Sequence, residues 1–182
     1  MAAAASVVLL LSSCASKDGS QVSRGDGERS GGVNMQEAAE RADEILDETF
    51  SGINPPVKWV HGESTEGSCD VSRRRAVVTV ISEERRGSFL GVVEREWQKA
   101  GYRQVGVNAS TKSPATYFET PDKFRVRLLV GGRGQAFFEV ATPCVEWSSV
   151  SKPVPPPGGA EHVGEPIPAP NVRDRFWSAG AS

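Results

Sequence analysis

The sequence predicts an α+β domain: two helices packed on one face of a mostly antiparallel sheet, in the order αββαββββ. Three observations predict it. Apolar residues recur at the 3.6-residue period in two separate stretches, six further stretches are short and β-branched or alternating, and the last two of these flank a glycine-rich turn. In 182 residues with 38% hydrophobic content, glycine and proline are enriched outside Asn34–Glu146, so that stretch is the part able to bury one core. A formal charge of -2 removes the basic excess that nucleic acid or anionic lipid would attract, and no nucleic-acid partner is expected.

The first helix starts at Asn34, a cap residue with Glu37 three positions on completing a capping-box arrangement. Ala38, Ala42, Ile45, Leu46, Thr49, Phe50 and Ile53 follow at helical spacing, and Gly52 with Asn54-Pro55-Pro56 ends it, because proline lacks the N–H that continuation needs. Glu40, Asp43, Glu44, Asp47 and Glu48, with only Arg41 against them, form a solvated face or, less economically, a docking surface for a cation or basic partner. Val57–Glu63 reads as a strand with Val57, Trp59 and His61 on one side. Gly62–Ser72, with Cys69, reads as a loop, and Arg75–Ile81 as a β-branched strand suited to the middle of a sheet.

The second helix spans Ser88–Ala100, with Phe89, Val93, Trp97 and Ala100 inward and Gly101-Tyr102 as a left-handed stop followed by an apolar contact. Tyr102–Asn108 and Ala115–Thr120 are strands. In the last hairpin Phe124, Val126, Leu128 and Val130 share one face, as do Ala136, Phe138 and Val140. Residues directly opposite must lie on the same side, so the loop must contain an odd number of residues. Such a loop sets Glu139 across from Arg125 or Arg127, an exposed pair worth a few tenths of a kcal/mol. Gly131-Gly132-Arg133-Gly134 lies between antiparallel strands with no helix following, and is therefore a turn and not a phosphate loop.

The chain ends differently at each terminus. Ala2–Leu11 is apolar but far below the roughly 20 residues needed to cross a bilayer as a helix, and reads as the apolar region of an export signal. It runs into Leu11-Ser12-Ser13-Cys14-Ala15, which resembles the lipobox of bacterial lipoproteins: an aliphatic residue, two small residues and a cysteine. The resemblance implies that residues 1–13 are a signal peptide cut before Cys14, whose thiol carries diacylglycerol and whose new amino terminus is also acylated in many species. Thr142-Pro143-Cys144-Val145 and Trp97-Gln98-Lys99-Ala100-Gly101-Tyr102 are similar to segments of small uncharacterised actinobacterial lipoproteins, a likeness that implies location and fold but no activity.

On that reading residues 14–33 hold the lipidated cysteine and a flexible tether, since the Gly, Ser, Asp, Arg and Lys of this stretch cannot offset their own ordering entropy. A coil of that length spans roughly 25 Å, and at about 0.8 kcal/mol per buried CH2 two acyl chains give stable membrane attachment. With Cys14 lipidated, Cys69 and Cys144 are left as an even pair in an oxidising compartment and are expected to be bonded. After the domain, 34–149, residues 150–182 read as a disordered tail: seven of the twelve prolines fall between Pro153 and Pro170. Phe176 and Trp177 are out of place there, either folding back or marking a contact.

Catalytic signatures are sparse. His61 and His162 are the only histidines, and no HExxH, GxSxG or CxxC occurs, so no catalytic residue, cofactor or metal is assigned. Glu83-Glu84 suits the first turn of a helix, where the macrodipole favours acids, or could flank a substrate. Arg73-Arg74-Arg75, with Arg85 and Arg86 further on, reads as the solvated start of a strand; the alternative is a patch for anionic lipid or wall polymer. The expected function is a membrane-anchored, extracytoplasmic, non-catalytic binding domain whose partner is an envelope protein or cell-wall component. A cell-envelope hydrolase using acidic residues, or a small solute-binding lipoprotein, is the alternative.

Overall fold

The structure is a computed structural model, and residues 32–131, 134–154 and 166–181 are described. Helix α1 spans Met35–Ser51 and α2 spans Arg86–Lys99, preceded by a 3-10 turn at Glu83–Arg85. The strands are β1 Trp59–His61, β2 Thr65–Glu66, β3 Val71–Val77, β4 Arg103–Asn108, β5 Ala115–Glu119, β6 Arg125–Val130 and β7 Ala136–Ala141. They form one sheet in the order β1-β3-β7-β6-β5-β4, with β2 also on β3 and every strand pair antiparallel. The fold class is thus α+β, and the short hairpin strand β2 is the addition to the expected order.

The capping box forms in both directions: Glu37 N–H donates to Asn34 Oδ1 and Asn34 N–H to Glu37 Oε2, each at 3.1 Å. The buried stripe of α1 contains the expected residues from Ala38 to Phe50, together with Met35 and Ala39. It joins Phe89, Val93 and Trp97 of α2 over Val77, Phe118, Val126, Leu128, Phe138 and Val140 of the sheet. Ala100 is exposed rather than inward, because the helix ends there: Gly101 takes φ 79° and Tyr102 N–H returns to the Trp97 carbonyl.

The β6–β7 loop has the odd length that parity demands. Val130 opposes Ala136, Val126 opposes Val140 and Arg127 opposes Glu139. Gly134 is required at its position, since φ is 70° and a Cβ would run into the Ile81 carbonyl. Glu139 is less exposed than a lone surface pair would be: its Oε2 takes Arg74 Nε at 2.6 Å and Arg127 Nη2 at 2.8 Å.

Two expectations are corrected. The strand expected second, at Arg75–Ile81, lies at Val71–Val77 as β3: Arg73 and Arg75, read as solvated, point inward beside Val71 and Val77 and are each 2% exposed. The expectation of a disordered tail fails for residues 166–181. Val80 N–H donates to the Val172 carbonyl, Ser82 N–H to the Trp177 carbonyl and Ser178 Oγ to the Val80 carbonyl. Ile167 and Val172 cover Val60, Ala76, Val78 and Phe137 on the face of the sheet away from the helices. The chain then brings Trp177 into the main core, fully buried, edge-on to Phe89 at 5.1 Å with Nε1 donating to the Pro55 carbonyl at 2.7 Å. The remainder of the proline-rich stretch, 155–165, lies outside the described residues, as do Cys14 and the whole of 1–31.

Cys69 and Cys144 are disulfide-bonded, with Cα atoms 4.8 Å apart and a sequence separation of 75. The bridge joins the loop before β3 to the segment after β7, where Val145 N–H also donates to the Cys69 carbonyl.

Replacing Trp177 by alanine is expected to cost about 3–5 kcal/mol in urea unfolding; a passive tail would give no change. Replacing Cys69 and Cys144 together by alanine is expected to remove on the order of 4 kcal/mol, the entropy of closing so long a loop, read as a lower unfolding midpoint that reductant then no longer shifts.

Candidate functional site

Two constellations of polar side chains stand out, one sealed and one open. The sealed one lies beneath α1. The inward face of β3 presents Arg73 and Arg75, and β1 sets His61 opposite Arg75. Arg75 stacks on the Trp59 ring at 4.0 Å and meets Phe50 at 5.6 Å, while its Nη1 pairs with Asp47 Oδ1 at 2.8 Å. Arg73 Nε pairs with Asp43 Oδ2 at 3.1 Å, and its two terminal nitrogens donate to Ser64 Oγ and the Ser151 carbonyl. Asp43 and Asp47 are therefore not merely part of a solvated acidic face.

His61 is 2% exposed, and its Nε2 lies 3.0 Å from the Val154 carbonyl. A carbonyl can only accept, so the proton resides on Nε2. Burial, reinforced by the positive charge of Arg75, lowers the imidazole pKa from its ordinary value. Burial likewise raises the Asp43 carboxyl against the pull of Arg73 and Arg75, and lowers Arg75. With its ring enclosed and its N–H committed to backbone, His61 holds the segment after β7 against β1 and does not face a substrate.

The open constellation is a groove of about 440 Å³ lined by Val80, Ile81, Ser82, Glu83, Arg86, Pro170, Arg173, Gly180 and Ala181. One wall is the extended chain that continues β3 into α2. The other is the returning C-terminal segment, held in a turn by Asp174 Oδ1, which accepts from Phe176 N–H and Trp177 N–H. Arg173 Nη1 closes that turn on the Ala181 carbonyl at 2.8 Å. Gly180, at φ 77°, passes close to the Glu84 carboxylate. A smaller cleft of about 260 Å³ lies where the two helices end, lined by Glu48, Glu96, Lys99 and Tyr102 among others.

The residues singled out in sequence are thus dispersed. Glu83 and Glu84 stand at the start of the 3-10 turn, and Glu83 faces the groove. The arginine run divides: Arg73 and Arg75 enter the core, and Arg74 pairs with Glu139. Arg85 lies over the Phe176 ring at 4.4 Å, and Arg86 opens into the groove. His162 lies outside the described residues. Among the described residues no three His, Cys, Asp or Glu side chains converge in a metal-binding group. Ser82, Arg173 and Gly180 carry no signal of their own in sequence because they converge only when the tail folds back; the Phe176-Trp177 pair in a polar stretch is the available one. Comparison with known proteins found no matching family model, no matching curated protein and no matching solved structure.

The lowered His61 pKa has a defined sign. Between the folded value and the ordinary one, the unfolded chain binds more protons, so stability falls as pH drops below about 6.5. The raised Asp43 value acts oppositely, with stability lost as pH rises from about 3.9 toward its folded value. The urea midpoint is therefore expected to decline from about pH 7 to about pH 5, and His61→Gln, which keeps a donor toward the Val154 carbonyl, is expected to flatten that decline.

Proposed function

We propose that this chain is an extracytoplasmic lipoprotein, anchored to the membrane through Cys14, whose α+β domain is a non-catalytic binding module of the cell envelope. The observation that carries the anchor is the Cys69–Cys144 disulfide. It is consistent with an oxidising compartment, and it leaves Cys14, in Leu11-Ser12-Ser13-Cys14-Ala15, as the one thiol still to be accounted for. Among the described residues no helix is long and apolar enough to cross a membrane, so attachment in this reading rests on acyl chains and not on a span of the domain.

Binding is favoured over catalysis by the state of the groups that would carry a reaction. The His61 imidazole is enclosed and bonded to backbone. The groove, the larger of the two clefts described, is lined among the described residues by arginine, glutamate, serine and apolar side chains with neither histidine nor cysteine. Its open side suits a protruding group of an envelope protein or wall component.

Mass spectrometry of protein extracted from membranes tests the anchor. The expected mature mass lacks the residues before Cys14 and includes diacylglycerol, and Cys14→Ala is expected to remain unprocessed and to leave the detergent phase. An unchanged mass and unchanged partitioning in that variant would overturn the proposal.

A further inference from the structure

We infer that the groove between the start of α2 and the returning C-terminal segment is a binding site for a small oxyanion, a carboxylate or phosphate borne on a larger ligand, with Ser82, Arg86 and Arg173 as its recognition groups. The inference deepens the binding-module reading and is independent of the lipid anchor.

One hydroxyl in the groove wall is unsatisfied. Ser82 is 3% exposed, lines the groove, and its Oγ has no hydrogen-bond partner among the described residues. Native proteins pair nearly all buried polar atoms, because an unpaired one bears its full desolvation cost. A serine preceding a helix ordinarily turns its oxygen back to a backbone N–H. Ser82 occupies that position and makes no such bond, so its buried hydroxyl keeps an unused donor in the groove wall.

A cation is in the same state. Arg86 Nε is buried and has no hydrogen-bond partner among the described residues. The guanidinium forms no ion pair with Glu83, although three residues along a helix is a favourable separation for one. Arg173 uses one nitrogen on the Ala181 carbonyl and forms no ion pair with a carboxylate among the described residues. Among the described residues, two guanidinium groups and a hydroxyl line the groove, with the Glu83 carboxylate in the lining and that of Glu84 beside Gly180. Unused donors of this kind call for an acceptor, and a guanidinium fork matches two oxygens of a carboxylate or phosphate.

Size points the same way. A volume of about 440 Å³ lies in the range of small-molecule sites and far exceeds one ion. Val80, Ile81 and Pro170 supply apolar wall for the part of the ligand that carries the anion. Glu83 at the same rim repels a dense polyanion, which restricts the ligand to an isolated anionic group.

The test is an amide-resolved NMR titration of the isotopically labelled full chain. Inorganic phosphate is added in one arm, acetyl-alanine in the other, and sodium chloride at matched ionic strength serves as control. Saturable shifts are expected at Ser82–Gly87 and Arg173–Ala181 in at least one anion arm, and the arm that saturates first identifies the anion class. Ser82→Ala and Arg86→Gln are each expected to weaken binding about tenfold, with the urea midpoint preserved or, for Ser82→Ala, raised. No saturable shift in either arm, shifts spread over other arginines and lysines, or unchanged affinity in both variants would overturn the inference. A failure here leaves the anchor standing or falling on the processing and partitioning of Cys14→Ala alone.

Discussion

Arg73 and Arg75 leave water on the face of β3 that looks at α1, and the position of that helix depends on where their charges are met. Two residues along a strand advance about 6.6 Å, and four along a helix advance about 6 Å. Asp43 and Asp47 are four apart, so each arginine finds its own carboxylate when α1 runs alongside β3 in the same direction. A shift by one helical turn would leave a guanidinium buried without its counter-charge, a loss of several kcal/mol. Hydrophobic contacts between Ala38, Ala42, Ile45 and the sheet are less discriminating, because one apolar surface slides over another at little cost. The paired charges thus specify register, and the rings of Trp59 and Phe50 make Arg75 tolerable there by offering π faces in place of water.

That arrangement also explains the path of the chain after β7. The disulfide at Cys144 fixes the start of the segment against the loop before β3. From there Ser148 Oγ accepts the Gln36 N–H, Ser151 N–H donates to Gln36 Oε1, and the Ser151 carbonyl accepts from Arg73. The Val154 carbonyl then takes the His61 proton. The segment closes over the arginine cluster and satisfies donors that neither α1 nor the sheet can reach. Its hydrogen bonds to the first turn of α1 complement the capping box, so the helix start is held from its own sequence and from a segment over a hundred residues away.

Much of this is legible in the sequence, and for physical reasons. The α1 cap, its apolar period and the Gly101 stop are local signals, and the parity of the β6–β7 loop follows from strand geometry alone. The pairing of Cys69 with Cys144 follows from counting thiols once Cys14 is read as lipidated. What stays hidden lies where side-chain type and environment disagree. An arginine-rich run reads as surface because a buried guanidinium needs partners, and Asp43, Asp47 and Ser151 are remote in sequence. The tail is hidden for the converse reason. Proline-rich composition argues against a packed core on average, yet a single tryptophan can anchor a chain when its ring is fully buried and its N–H finds the Pro55 carbonyl. Neither event leaves a periodic trace.

Tail docking and the groove are one structural event. Ser82, Glu83 and Arg86 belong to the chain leading into α2; Pro170, Arg173, Gly180 and Ala181 belong to the returning segment. Without the return, the first group is an open helix start with two exposed acids, and the second is a short polar peptide. Burial of Trp177 and the backbone bonds from Val80 and Ser82 bring them face to face. The tail is secured by Trp177, packed on Phe89 with its ring N–H on the Pro55 carbonyl, and by the backbone bonds from Val80 and Ser82, so the Ser82 hydroxyl and Arg86 are positioned without being consumed by these contacts, while Arg173 commits one nitrogen to the Ala181 carbonyl. A group bound between the two walls would bridge both and add its binding free energy to tail docking, whereas any loosening of Trp177 would be felt in the groove as a lost wall. The core thereby couples a terminal tryptophan to the places in this groove where donors still lack acceptors.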